Sequence, residues 1–269
     1  MLLINGQPDD KLAAADRGFQ YGDGIFTTML VRRGVIDAWS RHLERMKNNI
    51  AALQIEGVDW QLAGQWVEQV ARSVQSEPNA VMKVIITRGI GGRGYSPQGC
   101  VSPTVVVSSH LFPPHYLQWK EQGITLGLLK QRIGLSPLAG LKHLNRLEQV
   151  ILKSEVETLG VDDGIACDMN GYLVETSASN LFWRKDRTLF TPVLDNAGVA
   201  GTMRARVIET AKLLGYKVIE CREQASVIDG SDEIFITNAV MGLVPVRQYH
   251  NKNYNDFEAC RAITLRLTA

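Results

Sequence analysis

Gly140-Leu-Lys142-His-Leu-Asn-Arg146-Leu-Glu-Gln149 places a lysine at a turn, directly ahead of an amphipathic run. Further along stands Glu175-Thr-Ser-Ala-Ser-Asn180-Leu-Phe182, which sets an acid in a hairpin-like segment. A lysine at a junction between elements is held in place and still open to a ligand, and a carboxylate on a second segment can hold a proton opposite it. That pairing suits covalent chemistry at an amine, with the acid keeping a bound ring protonated.

Outward from these segments the chain reads as a mixture of helices and strands. Upstream, the apolar run 25–31, the Arg32-Arg33-Gly34 turn and the stretch 35–39 predict a hairpin. Ser40 reads as an N-cap for a helix with Leu43, Met46, Ile50 and Leu53 at helical spacing. Asp59 would cap a second helix carrying Leu62, Trp66, Val70 and Val74 on one face. Strands are predicted over 81–87 and 104–108. Phe112-Pro-Pro-His-Tyr116 reads as an extended linker, because paired prolines oppose a helix. Beyond it come a strand over 124–129, a helix over 145–159, a turn at Met169-Asn-Gly, a helix over 203–214 stopped by Gly215, and strands near Ile234 and Val244. Asn255 opens a last helix with Phe257, Cys260, Ile263 and Leu267. The expectation is two domains, 1–112 and 117–269, joined by 113–116, with the lysine and the acid both in the second.

Composition narrows the class of partner. At roughly 150 residues per domain, 269 residues with 45% hydrophobic content supply two cores. With 29 Lys plus Arg against 28 Asp plus Glu, no net field would draw the chain to nucleic acid or an anionic membrane, so a small molecule is the expected partner. The start, Met1-Leu-Leu-Ile-Asn-Gly, lacks a basic region, and no apolar run reaches the ~20 residues a membrane span needs. A cytoplasmic protein is expected. Cys100, Cys167, Cys221 and Cys260 stand far apart, which favours reduced thiols over a disulfide framework.

Gly89-Ile-Gly91-Gly-Arg-Gly94 matches a dinucleotide-binding fingerprint letter for letter. Its setting contradicts that reading, because such a loop must open a helix, whereas Tyr95-Ser-Pro97-Gln-Gly99 follows and the chain returns as a strand. The segment reads as a hairpin loop, or as a glycine loop that lets Arg93 and Tyr95 approach an anionic substrate. No phosphate-loop, zinc-helix or nucleophile-elbow motif occurs, and the five histidines show no metal-ligand spacing, so no metal site is expected.

Five segments occur in a telling order: Asp23-Gly-Ile-Phe-Thr-Thr28, Arg41-His42 with Arg45-Met46, Arg88-Gly-Ile-Gly-Gly-Arg-Gly-Tyr95, the Lys142 segment and the Glu175 segment. The series resembles the fold type IV pyridoxal-phosphate enzymes, related to D-amino-acid aminotransferases, and within them the 4-amino-4-deoxychorismate lyases. The likeness runs from the first residues to about Val246. The Phe-Thr-Thr and Gly-Gly-Arg-Gly-Tyr segments carry the lyase side of it. Aminotransferases of this class, acting on branched-chain or D-amino acids, typically have Glu-Gly where Thr27-Thr28 stands, and they are the alternative.

The resemblance implies a homodimer with pyridoxal 5'-phosphate tied to Lys142 as a Schiff base and Glu175 on the ring nitrogen. It implies Arg45, the backbone at Thr202 and Met203, and Asn238 around the phosphate. Class members usually carry an aliphatic residue where Thr202 stands. Thr28 is the expected second catalytic residue, contacting the leaving group. Charge logic adds Arg93, Tyr95 and Arg146 as contacts for the carboxylates of 4-amino-4-deoxychorismate.

Overall fold

The computed structural model describes residues 1–268. The chain divides into two compact units, Met1–Pro113 with Lys142–Asn145, and Pro114–Leu141 with the chain from Arg146 onward.

The first unit contains β1 (Leu2–Ile4), β2 (Gln7–Pro8), α1 (Arg17–Tyr21), β3 (Gly24–Arg32), β4 (Val35–Ile36), α2 (Trp39–Ala52), α3 (Trp60–Arg72), β5 (Ala80–Thr87) and β6 (Thr104–Leu111). Its strands form one antiparallel sheet in the order β2-β1-β6-β5-β3-β4. Side chains alternate along β3, so Ile25, Thr27, Met29 and Val31 share one face. Ile25, Met29 and Val31 join Met46 and Ile50 of α2 and Val67 and Val70 of α3 in the core. Phe26 and Thr28 lie on the opposite face of the strand.

Two helix starts show where local signals work. Asp59 caps α3, its carboxylate accepting from the Gln61 and Leu62 N–H groups at 3.0 Å. Its buried stripe is Ala63, Val67, Val70 and Ala71, while Leu62 is exposed, one position off the expected face. Helix α2 begins before Ser40, at Trp39, behind Ala38 in a left-handed conformation with no side-chain cap. The hairpin partner strand ends at Ile36, which frees the chain to turn into the helix early.

The second unit runs through α4 (His115–Gln122), β7 (Ile124–Ile133), α5 (Leu147–Leu159), β8 (Asp163–Asp168), β9 (Leu173–Thr176), β10 (Asn180–Lys185), β11 (Thr188–Pro192), α6 (Thr202–Leu213), β12 (Lys217–Cys221), β13 (Glu233–Asn238), β14 (Gly242–Tyr249), β15 (Lys252–Asn253) and α7 (Glu258–Thr268). Its mixed sheet has the order β12-β11-β10-β13-β14-β7-β8-β9, with β15 on β14. Phe182, Phe235 and Leu243 of the sheet pack with Met203 and Val207 of α6 and Ile263 of α7. Helix α7 starts at Glu258, whose N–H donates to Asp256, so the cap lies past the expected Asn255.

Two expectations fail for identifiable reasons. The prolines do not enforce an extended 113–116 linker: Pro114, at φ −64°, is already in helical geometry and starts α4 directly. The lysine segment groups with the first unit, not with the second. Strand β4 pairs only with Val31 and Arg32 of β3, which leaves the beginning of that β3 edge open. Lys142–Asn145 fills it, with Phe26 N–H donating to the Lys142 carbonyl and Leu144 N–H to the Gly24 carbonyl, both at 2.9 Å. A Cβ at Gly24 would collide with the Ile86 carbonyl and crowd Leu144, so the close approach needs glycine there.

The 89–99 loop follows β5 and leads back to β6 without opening a helix. Buried Arg17 secures it from beneath, donating to the carbonyls of Gly94, Tyr95 and Ser96. Asp23 holds the arginine: it accepts from Arg17 Nε at 2.8 Å and from Arg88 Nε and Nη2 at 2.8 and 3.0 Å. Burial alone would push the Asp23 carboxyl up, but hydrogen bonds and charge from Arg88 and Arg17 prevail and hold it below its ordinary 3.8. The carboxylate therefore contributes stability above that ordinary value, and the contribution is lost as pH falls through the lower folded one. Asp23→Asn should cost about 3 kcal/mol of unfolding free energy at neutral pH. Urea titrations should show the gap to the parent protein narrowing as pH drops through the carboxylate range; a gap that does not narrow would refute an ionic origin.

Candidate active site

The candidate residues fall into two groups, one in each unit. In the first, the backbone of Lys142 is bonded on both sides. Its carbonyl accepts from Phe26 N–H, and buried Asn49 on α2, with its amide oxygen turned to the lysine, accepts the Lys142 N–H at 3.0 Å and donates to the Arg45 carbonyl at 3.3 Å. The Lys142 ammonium lies 4.4 Å from the centroid of Phe26. The Lys83 ammonium lies 5.1 Å from the same centroid. Lys83 stands opposite Thr28 in the β3–β5 register, so Phe26, Thr28 and Lys83 occupy one face. Sequence reading passed over Lys83 and Asn49. A lone lysine in a strand reads as solvent-facing, and the alternation of Val81-Met-Lys83-Val was the available signal.

Thr27, the neighbour of Thr28, faces the other way and is fully buried. Arg45 Nη2 donates to its hydroxyl at 2.6 Å. The Arg45 Nε is buried with no partner, and burial pushes the guanidinium down to about 10. A half-buried cation with an unanswered donor is a place built for an anion. Arg93 and Tyr95 stand exposed on the loop secured by Arg17, with the Tyr95 ring 5.4 Å from that of Tyr21.

In the second unit, Glu175 on β9 is buried, and its Oε2 accepts from Val199 N–H at 3.0 Å. Asn180 Nδ2 donates to the Val199 carbonyl at 2.8 Å, so the acid and the amide together hold the 198–201 loop. A Cβ on Gly201 would strike the Asn180 oxygen. That loop delivers the chain into α6 at Thr202 and Met203, whose N-terminus has no side-chain cap and no acid in its first turn. Such a helix start presents N–H groups and the positive end of its dipole.

Arg146 is in the second unit too. It is half-buried, donates to the Leu141 carbonyl at 3.2 Å and feels the charges of Glu175 and Glu148. Burial pushes its guanidinium down, and those carboxylates only partly restore it. Asn238 has both ends of its amide engaged in the fold, accepting from Val240 and Met241 N–H and donating to Ala178 and Ser179. Among the described residues there is no cluster of side chains able to hold a metal ion.

The first unit holds an amine beside an aromatic ring and an arginine whose Nε has no partner, and the second a buried carboxylate and a helix start without a side-chain cap; these are, unit by unit, groups of the kinds that a phosphorylated pyridine aldehyde engages. Residues 24–249 match the amino-transferase class IV family model, and the chain belongs to that pyridoxal-phosphate-dependent family. The aminodeoxychorismate lyase of Vibrio harveyi is 40% identical over 247 residues, covering 91% of this chain and 90% of that protein. The crystal structure of 4-amino-4-deoxychorismate lyase from Pseudomonas aeruginosa matches with a TM-score of 0.93 at 34% identity, over 99% of this chain and 98% of that one. The branched-chain amino acid aminotransferase of Escherichia coli shares the fold, with a TM-score of 0.86 at 23% identity, over 98% and 91% of the two chains. The fold is thus the mixed α and β architecture of fold type IV enzymes. Among the described residues, no helix is long and apolar enough to cross a membrane.

Proposed function

We propose that the chain is an aminodeoxychorismate lyase, converting 4-amino-4-deoxychorismate to 4-aminobenzoate and pyruvate for folate biosynthesis as a cytoplasmic homodimer. The observation that carries this reading is the 40% identity to the Vibrio harveyi lyase over 91% of the chain. Thr27-Thr28, in place of the Glu-Gly of aminotransferases, agrees with it.

When bound, pyridoxal phosphate supplies an electron sink. Lys142 would hold it through Nζ and would take the proton from the amine-bearing ring carbon of the substrate. Glu175 would keep the ring nitrogen protonated. Arg45, the N–H groups of Thr202 and Met203, and Asn238 would hold the phosphate. Loss of the ring proton and of the neighbouring ether oxygen leaves an aromatic ring and enolpyruvate, which gains a proton to become pyruvate. Thr28, on the face it shares with Phe26, hydrogen-bonds the departing oxygen or the water that protonates it. Lys83 on that face, with Arg93 and Tyr95 on the loop, supplies contacts for the two carboxylates.

The direct test is to incubate the enzyme with aminodeoxychorismate and assay 4-aminobenzoate and pyruvate, beside transamination of L- and D-amino acids. Elimination should be far the faster. Transamination without 4-aminobenzoate would overturn the lyase in favour of a branched-chain or D-amino-acid aminotransferase. Thr28→Val keeps the β-branch and deletes the hydroxyl, so kcat should fall about tenfold with KM little changed and the cofactor still bound. An unchanged kcat would remove Thr28 from the chemistry.

A further inference from the structure

We propose that Thr27 is the positioning residue that aims Arg45 at the cofactor's phosphate, with His42 setting the direction of the Thr27 hydroxyl. The inference rests on the reading of Arg45 as a phosphate ligand and adds two residues to it.

Three side chains from β3 and α2 form a short chain. Arg45 Nη2 lies 2.6 Å from Thr27 Oγ1, and that oxygen lies 2.7 Å from His42 Nδ1. Thr27 is 0% and His42 2% exposed, so solvent does not compete for these bonds. A guanidinium has no acceptor and stays protonated, so its bond to Thr27 runs one way only. The Thr27 oxygen accepts from Arg45, and with the His42 hydrogen on Nε2 the hydroxyl gives its own proton to Nδ1, so the order of donation in this proposal is guanidinium to hydroxyl to imidazole.

This arrangement has two effects on Arg45. The guanidinium is planar and rigid, so anchoring Nη2 on a buried hydroxyl sets the direction of the remaining N–H groups, including the buried Nε that finds no partner within the protein. A donor left so is costly until an acceptor arrives. The anchor is also neutral. A hydroxyl holds the side chain without an ion pair, so the guanidinium keeps its full charge for a phosphate dianion. Thr27 faces the α2 side of the sheet, away from Phe26 and Thr28, so its role is separate from any contact with substrate.

The comparison of pyridoxal 5'-phosphate with pyridoxal, which lacks the phosphate, isolates this role. The full chain, freed of cofactor, is titrated with each ligand and the two dissociation constants are read from the visible absorbance. Thr27→Val should raise the constant for pyridoxal phosphate roughly tenfold and leave that for pyridoxal unchanged. Thr27→Ser, which retains the hydroxyl, should restore the parent values. If Thr27→Val does not fold by circular dichroism, His42→Leu against His42→Asn gives the same comparison. The first removes the acceptor and should lose phosphate selectivity; the second returns an amide oxygen near the Nδ1 position and should keep it. Equal weakening toward both ligands, or indistinguishable Val and Ser variants, would overturn the proposal. Arg45→Ala is the control for the reading beneath it. If that variant leaves the ratio of the two constants unchanged, Arg45 is not the phosphate ligand; if it collapses the ratio while Thr27→Val does not, Thr27 alone loses its role.

Discussion

Lys142→Arg should abolish turnover, with a loss of about 10⁴-fold or more, and leave the fold intact. Arginine keeps the charge and much of the bulk at this position, while its guanidinium neither bonds an aldehyde nor serves as a base at neutral pH. The fold should tolerate the change because the backbone holds the segment, through Phe26 N–H on the Lys142 carbonyl and Asn49 on its N–H. Borohydride reduction of the parent enzyme followed by peptide mass mapping should place the cofactor label on Lys142 and nowhere in the variant. Lys83 is the informative competitor, since its ammonium lies 5.1 Å from the same Phe26 ring that Lys142 approaches at 4.4 Å. A label on Lys83 would reassign the covalent step.

What the sequence showed and what it hid divide along physical lines. Asp59 was legible as a cap because a carboxylate three residues ahead of the last N–H it accepts is a purely local arrangement. The glycine loop was legible as a non-helical turn because the chain after Tyr95-Ser-Pro97-Gln-Gly99 returns as a strand, where a dinucleotide site needs a helix. The placement of Lys142 was not legible. It depends on an open β3 edge that exists only because β4, adjacent in sequence to β3, is two residues long. The pair Thr27-Thr28 was read as a unit, and strand alternation separates it: Thr28 shares the Phe26 face, and Thr27 turns inward to Arg45 and His42. Arg146 was expected only as a contact for substrate carboxylates, whereas it donates to the Leu141 carbonyl and lies in the field of Glu175 and Glu148. Asn49 and Lys83 stand in no motif. Each acquires its place from a neighbour distant in sequence, and no local pattern reports such a contact.

Glu175→Gln should lower kcat by about 10²-fold with the cofactor still bound. The side chain has one observed task and one proposed task, and this substitution separates them. Its Oε2 accepts the Val199 N–H at 3.0 Å and so helps to shape the loop that leads into Thr202 and Met203 of α6. A glutamine oxygen can accept that same bond, so the loop and the helix start should persist. The charge cannot be kept: a neutral amide no longer favours a proton on the ring nitrogen, and the nearby Arg146 cation, previously offset by the carboxylate, then opposes it. Glu175→Ala loses the hydrogen bond as well, leaving a buried N–H without a partner, and should weaken cofactor retention in addition to turnover. The pair of variants therefore distinguishes the roles, with cofactor content measured by absorbance and kcat by 4-aminobenzoate release. If Glu175→Gln retains full kcat, the acid serves the loop alone and the ring is protonated by some other group.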